Sequence, residues 1–319
     1  MCTLFRWVAV LGILVGCSAA AWGRDIHVNN LAGNDRYLGI RPESLNDQAG
    51  PVKTIARALE IAIPGDRIVL ANTGQPYRES LTLFGSRHSG SETRPLTIQG
   101  NGVILEGADE IDADSWQHVY DNVFRFRPRH LAYQQLFLDH RPLVRILCTH
   151  PCTTPPELQP LEWCLYGGHI YFRAEPMKRP EDYALTVATR PVGITLFHVQ
   201  NVAILDLTIQ GFQLDAVNAH NSARDIVLQE VTCRGNGRAG VAVGGASVVT
   251  INSSLLGNNG EAQLLTNPYS ETFVRQSNLL SNTAPAWLDR GGVVIVDDKR
   301  VEGGIDDRQA DDKEAPAES

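Results

Sequence analysis

The sequence predicts an all-β chain wound as a right-handed parallel β-helix with three short strands per coil, an N-terminal capping helix and an inserted small β-subdomain. One short unit recurs at near-constant spacing in the latter part of the 319-residue chain. Each unit alternates apolar and other positions over short stretches that end at Gly or Asn. Nowhere in these units do apolar residues follow the period of a helical repeat.

The N-terminus reads as an export signal. Arg6 supplies the positive start, Trp7 to Val15 an apolar stretch too short to span a bilayer, and Ala21-Trp22-Gly23 a cleavage site that leaves Arg24 as the mature start. Leu14-Val15-Gly16-Cys17 also fits a lipobox, which would place a lipid anchor on Cys17. Cleavage after residue 23 is preferred, because the periodic sequence begins there. The expected location is therefore periplasmic, cell-surface or extracellular. No later stretch reaches the apolar length of a membrane span.

Residues 24–110 hold the cap and the first coils. Ile26-His-Val28 is a first strand, and the apolar spacing of Pro51 to Ala62 predicts a short amphipathic helix stopped by Pro64-Gly65-Asp66. Such a helix covers the open apolar end of a solenoid. Short strands follow at Ile68, Leu81, Leu96 and Val103. Residues 111–183 break the repeat and are rich in aromatics, which predicts an inserted β-subdomain with strands at Gln135–Arg141 and His169–Arg173.

Residues 184–296 carry the clearest coils. Segments beginning at Val202, Ile226, Val249 and Phe273 align with one another, their starts evenly spaced to within one position. Each contains two short strands with a break between them, and a third follows at Val217, Val241, Leu264 and Trp287. On this alignment Ile209, Cys233, Leu256 and Leu280 form one inward column. Gly211, Gly235, Asn258 and Asn282 suit turns that need a left-handed residue. From Asp297 to Ser319 nine acidic and four basic residues read as a solvated, disordered tail.

The run from Val28-Asn-Asn through Gly33-Asn-Asp35, Gly50-Pro-Val-Lys-Thr54, Pro64-Gly65-Asp66 and Pro76-Tyr77-Arg78-Glu79 to Pro95-Leu-Thr-Ile98 resembles the opening of secreted β-helix proteins of the pectate-lyase-like superfamily. With the later coils the resemblance covers roughly residues 25–110 and 185–292. It implies the fold, and an activity drawn from polysaccharide lyases, glycoside hydrolases, epimerases or non-catalytic members. The insert resembles those that wall a sugar-binding groove in β-helix glycoside hydrolases.

The formal net charge of −8 argues against a nucleic-acid partner. A polysaccharide is the expected partner, and the oligomeric state is open. Inner positions of a β-helix are packed, so chemistry must lie on outward faces and adjoining turns. Candidate catalytic residues are Asp206, Asp215, His220, Arg224, Glu230, Asp289 and Arg290, with Arg238 and Glu261 in flanking turns. Asn218, Asn267, Trp163 and Tyr166 are candidates for substrate binding. Asp206 and Glu230 share one repeat position, and the serines that continue their column favour turn residues over a carboxylate pair. Hydrolysis is preferred over elimination, because carboxylates are available while none of the four lysines lies in the repeated coils. The alternative is a non-catalytic surface or adhesion module. No cofactor is expected, although Asp35, Asp47 and Asp66 leave calcium open. Cys148, His150, Cys152 and Cys164 read as a loop pinned by a disulfide rather than a metal site.

Overall fold

The computed structural model describes residues 23–44, 49–148 and 153–302. The segment before residue 23 with Cys17, the residues Asp47, His150 and Cys152, and the chain beyond residue 302 lie outside the described residues. What is described is a right-handed parallel β-helix. One ladder of parallel strands runs through Asp25–Val28, Arg67–Leu70, Leu96–Glu106, Gln200–Gln210, Arg224–Gln229, Val248–Asn252, Glu271–Arg275 and Val293–Val296. The two 11-residue strands among them turn a corner into a second ladder, continued by Thr232–Arg234, Leu255–Gly257 and Asn278–Leu279. A third ladder stacks Leu81–Phe84, Ile194–Phe197, Asp215–His220, Ala239–Val243, Ala262–Thr266 and Trp287–Asp289.

Alternation explains the core. Ile204, Leu228, Ile251 and Val274 pair coil upon coil and are all buried. Each such side chain contributes about 1.5–3 kcal/mol by leaving water. The fourth coil differs from the expected frame by one residue. Val249 pairs with Thr272, so the unit starts at Thr272 and Phe273 faces outward. Leu279, not Leu280, extends the column of Ile209, Cys233 and Leu256, and Leu280 is exposed. A one-residue shift exchanges the faces of a strand. Thr272, polar yet buried, concealed the true start. Cys233 lies wholly inside, where burial pushes its thiol up to about 12.

The corners have their own chemistry. Asp206, Glu230, Ser253 and Gln276 all take left-handed backbone angles, with φ between 47° and 55°. Beyond the second ladder, buried amides stack. Asn236 donates to Asn259 at 2.9 Å, and Asn259 donates to Gln263 at 2.8 Å. These bonds satisfy turn groups that would otherwise be buried without partners.

A helix at Ile55–Ile61 packs Ile55, Ala58 and Leu59 onto the first coils. Thr54 caps it, and both Glu79 carboxylate oxygens accept the N–H groups of Ile55 and Ala56. The Tyr77 hydroxyl donates to the Ala71 carbonyl at 2.9 Å. Of the motif that carries the resemblance, Glu79 thus holds the capping helix, and Tyr77 ties the first coils together.

The interruption is larger than its expected bounds. Ala108–Glu110 and Leu185–Ala188, placed in the coils by sequence, pair with each other, and Leu185–Ala188 pairs on its other edge with Leu136–Leu138 in an antiparallel sheet. Leu136–Leu138 also pairs with Arg141–Pro142 across the turn at Asp139 and His140. Gln135–Arg141 is therefore a hairpin arm and its turn, not one strand. A second antiparallel sheet joins Trp163–Tyr166, His169–Arg173, Val123–Phe126 and Gln117–Tyr120. The expected start of the tail is also revised. Asp297 and Asp298 form a turn, and Lys299–Val301 folds back antiparallel onto Val293–Val296.

Candidate functional site

The carboxylate and guanidinium groups that converge do so where the third ladder meets the insert. Asp215 opens its strand and is fully buried. It accepts from Arg238 Nε at 2.9 Å, from Arg238 Nη2 at 2.5 Å and from Asn218 Nδ2 at 2.8 Å. Arg238 sits one coil on, and the hydrogen bonds to Asp215 raise its pKa against the opposing effect of burial. Glu261 occupies the same position on the next coil, its N–H donating to the Arg238 carbonyl at 2.8 Å. One Glu261 carboxylate oxygen, Oε2, is shielded from water without a hydrogen bond, and Arg290 Nη2 lies 3.9 Å from it. From the insert, the Tyr133 phenol adjoins Glu261. Burial first, then this carboxylate, raise the tyrosine above its ordinary pKa.

Two glycines permit this approach. A Cβ on Gly237 would stand 2.2 Å from the Tyr133 carbonyl oxygen and 2.3 Å from that of Gln213. On Gly260 it would stand 2.0 Å from the Gly237 carbonyl oxygen. Beside them opens a cleft of about 750 Å³ with unlike walls. The insert contributes Tyr133, Pro142, Leu143, Val144 and Leu147 together with Gln135 and Arg145, and the coils contribute Asn258, Asn259, Glu261 and Thr283. A largely apolar wall, its Arg145 guanidinium 5.2 Å from the centroid of the Trp163 ring, faces a wall of amides, a hydroxyl and one carboxylate and suits a ligand with apolar faces and polar edges. Arg238 and Arg290 balance Asp215 and Glu261, so the cluster carries no net charge.

The other sequence candidates lie elsewhere. Asp206 and Glu230 are corner residues of the left-handed column. Arg224 opens a strand of the first ladder and is exposed there. His220 ends its strand with its ring 5.2 Å from that of Phe197. Asp289 accepts from the N–H groups of Gly291 and Gly292 and shapes that turn. Asn267 lies at the equivalent turn one coil earlier, where its carbonyl accepts from Ser270. Trp163 and Tyr166 do not face a ligand groove. Trp163 is fully buried and donates to the Leu143 carbonyl, and the Tyr166 hydroxyl donates to the Thr153 carbonyl. Their bulk serves the insert's own core, which an aromatic-rich segment must build for itself. Of the candidates, Asp215, Asn218 and Arg290 are brought together. Arg238 and Glu261 bind them into a cluster, and the missing member was Tyr133. Arg238 and Glu261 hold equivalent places in successive repeats, each directly before an alanine that starts a third strand.

The carboxylates considered for calcium have other partners. Asp35 accepts from the N–H groups of Lys53 and Thr54, and Asp66 from Arg24 and the Ile63 N–H. Among the described residues no three His, Cys, Asp or Glu side chains gather as metal ligands. In the insert, Cys164 is buried and Cys148 Sγ lies 3.6 Å from the Leu165 carbonyl oxygen.

No protein-family model matches this chain, and no curated protein does. Solved structures do. One described as a glycoside hydrolase shares 11% identity over 86% of this chain and 77% of its own, with a TM-score of 0.59. The likeness is one of fold. A structure of XylC with xylose shares 14% identity, covering 85% of this chain and 68% of its own at a TM-score of 0.45. The GH136 lacto-N-biosidase from Eubacterium ramulus shares 10% over 85% and 56%, at a TM-score of 0.35. Of these three, the first alone superposes well enough to bear on the architecture.

Proposed function

We propose that this chain is an exported carbohydrate-active β-helix protein that holds a neutral polysaccharide in the cleft between the insert and the coils. The observation that carries this reading is the Tyr133–Glu261 pair, set between an apolar wall and an amide wall with two arginines already balanced by carboxylates. A sugar ring presents CH faces to the first wall and hydroxyls to the second. Arg238 and Arg290 are each met by a carboxylate, which supports a neutral ligand over a uronate. The third guanidinium at the cleft, Arg145, stands over the Trp163 ring. Elimination needs a cation to neutralise a uronate carboxylate, and Arg238 is committed to Asp215 in a bidentate pair.

Glu261 is the group at this cleft suited to move a proton. Hydrolysis by the usual route needs two carboxyl groups, about 5–5.5 Å apart for retention or 6.5–9.5 Å for inversion. Asp215 is closed off by Arg238 and Asn218, which favours a second reading, binding without cleavage. Titration of the protein with neutral and acidic oligosaccharides, followed by assays for new reducing ends and for the ultraviolet absorbance of unsaturated products, separates these readings. Neutral ligands should bind, and Glu261→Gln should weaken binding or abolish any new reducing ends without unfolding the protein. Preferential binding of uronate oligomers, or unsaturated products, would overturn the proposal.

A further inference from the structure

A second cleft, of about 520 Å³, lies between the first coils and the opposite side of the insert. Its chemistry differs from that of the Glu261 cleft. Three carboxylates line it, those of Glu110, Asp139 and Glu181, all on exposed residues. Arg78 is the one guanidinium beside them. Its charge is shared with Asp109, outside this cleft. Burial opposes ionisation of Asp109, but bonds from Thr189 and Arg190, together with the charges of Arg190 and Arg78, hold it below its ordinary range. His140 also lines the cleft, with Nδ1 2.9 Å from Oε2 of the buried Glu106. The cleft is left with a net negative charge of roughly two.

Two further features point to a ligand. Thr186 is 7% exposed and lines the cleft, yet its Oγ1 has no hydrogen-bond partner. A buried hydroxyl without a partner is costly unless a bound group supplies one. The walls also include the half-buried rings of Trp116 and Tyr183. The ring of Tyr183 already receives the Lys178 ammonium, 5.2 Å from its centroid. Aromatic rings and carboxylates together favour a cation with an organic body.

We propose that this second cleft binds a sugar residue carrying a protonated amine, a glucosamine-like unit of an oligosaccharide. The charge is argued from this cleft alone, whereas the saccharide character rests on the function proposed above. The Glu110, Asp139 and Glu181 carboxylates take the ammonium, the Thr186 hydroxyl bonds a ring hydroxyl, and Trp116 covers one sugar face. An acetylated amine, neutral and bulkier, loses the ionic contribution.

Calorimetric titration of the full chain with a glucosamine tetramer and with its N-acetylated counterpart tests this. The glucosamine tetramer should bind roughly tenfold tighter, and the difference should shrink as salt is added. The double variant Glu110→Gln/Glu181→Gln, changed only at exposed positions, should keep the wild-type melting temperature and lose the preference. Glu261→Gln should leave the preference intact. Equal affinities, no binding of either tetramer, or a double variant that keeps the preference would overturn the proposal. So would loss of the preference in Glu261→Gln, which would place the amine in the other cleft. Retained glucosamine binding with no binding of neutral glycans would sink only the earlier reading.

Discussion

A carboxylate's meaning here is set by its neighbours rather than by its position in the repeat. Asp215 is fully buried and its stability depends on Arg238, so Asp215→Asn should leave the guanidinium without its counter-ion. A loss of about 3 kcal/mol is expected, read by urea unfolding. Glu230 stands in a left-handed corner at φ 55°, a conformation that costs an L side chain roughly 1 kcal/mol. Glu230→Gly should therefore leave unfolding unchanged or raise it by up to about 1 kcal/mol, with saccharide binding untouched. A lost binding signal would instead make Glu230 a ligand contact. Sequence could place Asp206 and Glu230 in one column and suspect a turn, because serine continues it. It could not show that Arg238 closes off Asp215, since that contact crosses coils and depends on how the strand start bends.

At the level of elements, the capping helix is tied down by a side chain that the sequence did not single out. His88 is buried, receives the Phe84 N–H on Nδ1 at 2.9 Å, and meets the Leu59 carbonyl with Nε2 at 3.2 Å. Nδ1 must stay unprotonated to accept. Burial lowers the His88 pKa, a bond to Leu59 opposes this, and Arg87 adds to the lowering. Because the folded value is depressed, the stability it confers is complete above the ordinary value of about 6.5. It is lost as the pH falls through the folded value. The melting temperature of the wild type should thus drop more steeply below about pH 6.5 than that of His88→Gln, whose amide can make both bonds. Parallel slopes would refute the role. The helix was legible because its apolar spacing and Pro-Gly stop are local. The insert's true edges were not, because Leu185–Ala188 alternates like a coil strand, Ala108–Glu110 is too short to show a period, and only their antiparallel pairing reveals them.

Across the whole molecule, each coil completes the hydrogen bonds of the one before, and the last needs a stop. Lys299–Val301 supplies it by reversing direction onto Val293–Val296. A chain ending at Val296 should expose that strand's edge and form dimers or larger species in size-exclusion chromatography. A sharp monomer peak would show the hairpin to be dispensable. The overall architecture was the most readable level, since one period repeats the same inward positions many times. The exact frame of the fourth coil was less so, because a single buried threonine outweighed the pattern. The cleft could not be read at all. Tyr133 and Glu261 belong to different parts of the chain, the insert and a late coil, and meet only because Gly237 and Gly260 lack side chains.

The insert also sets the order in which the chain can assemble. Val202 pairs with Leu96 across the whole length of the insert, whereas Ile226 pairs with Val202 from the very next coil. Closing the longer loop costs about 1.3 kcal/mol more in chain entropy. Coils after Gln200 can thus nucleate among themselves before they find the first ones. The junction at Leu96–Glu106 becomes the natural late step of folding, and the place where a newly made chain stays open longest.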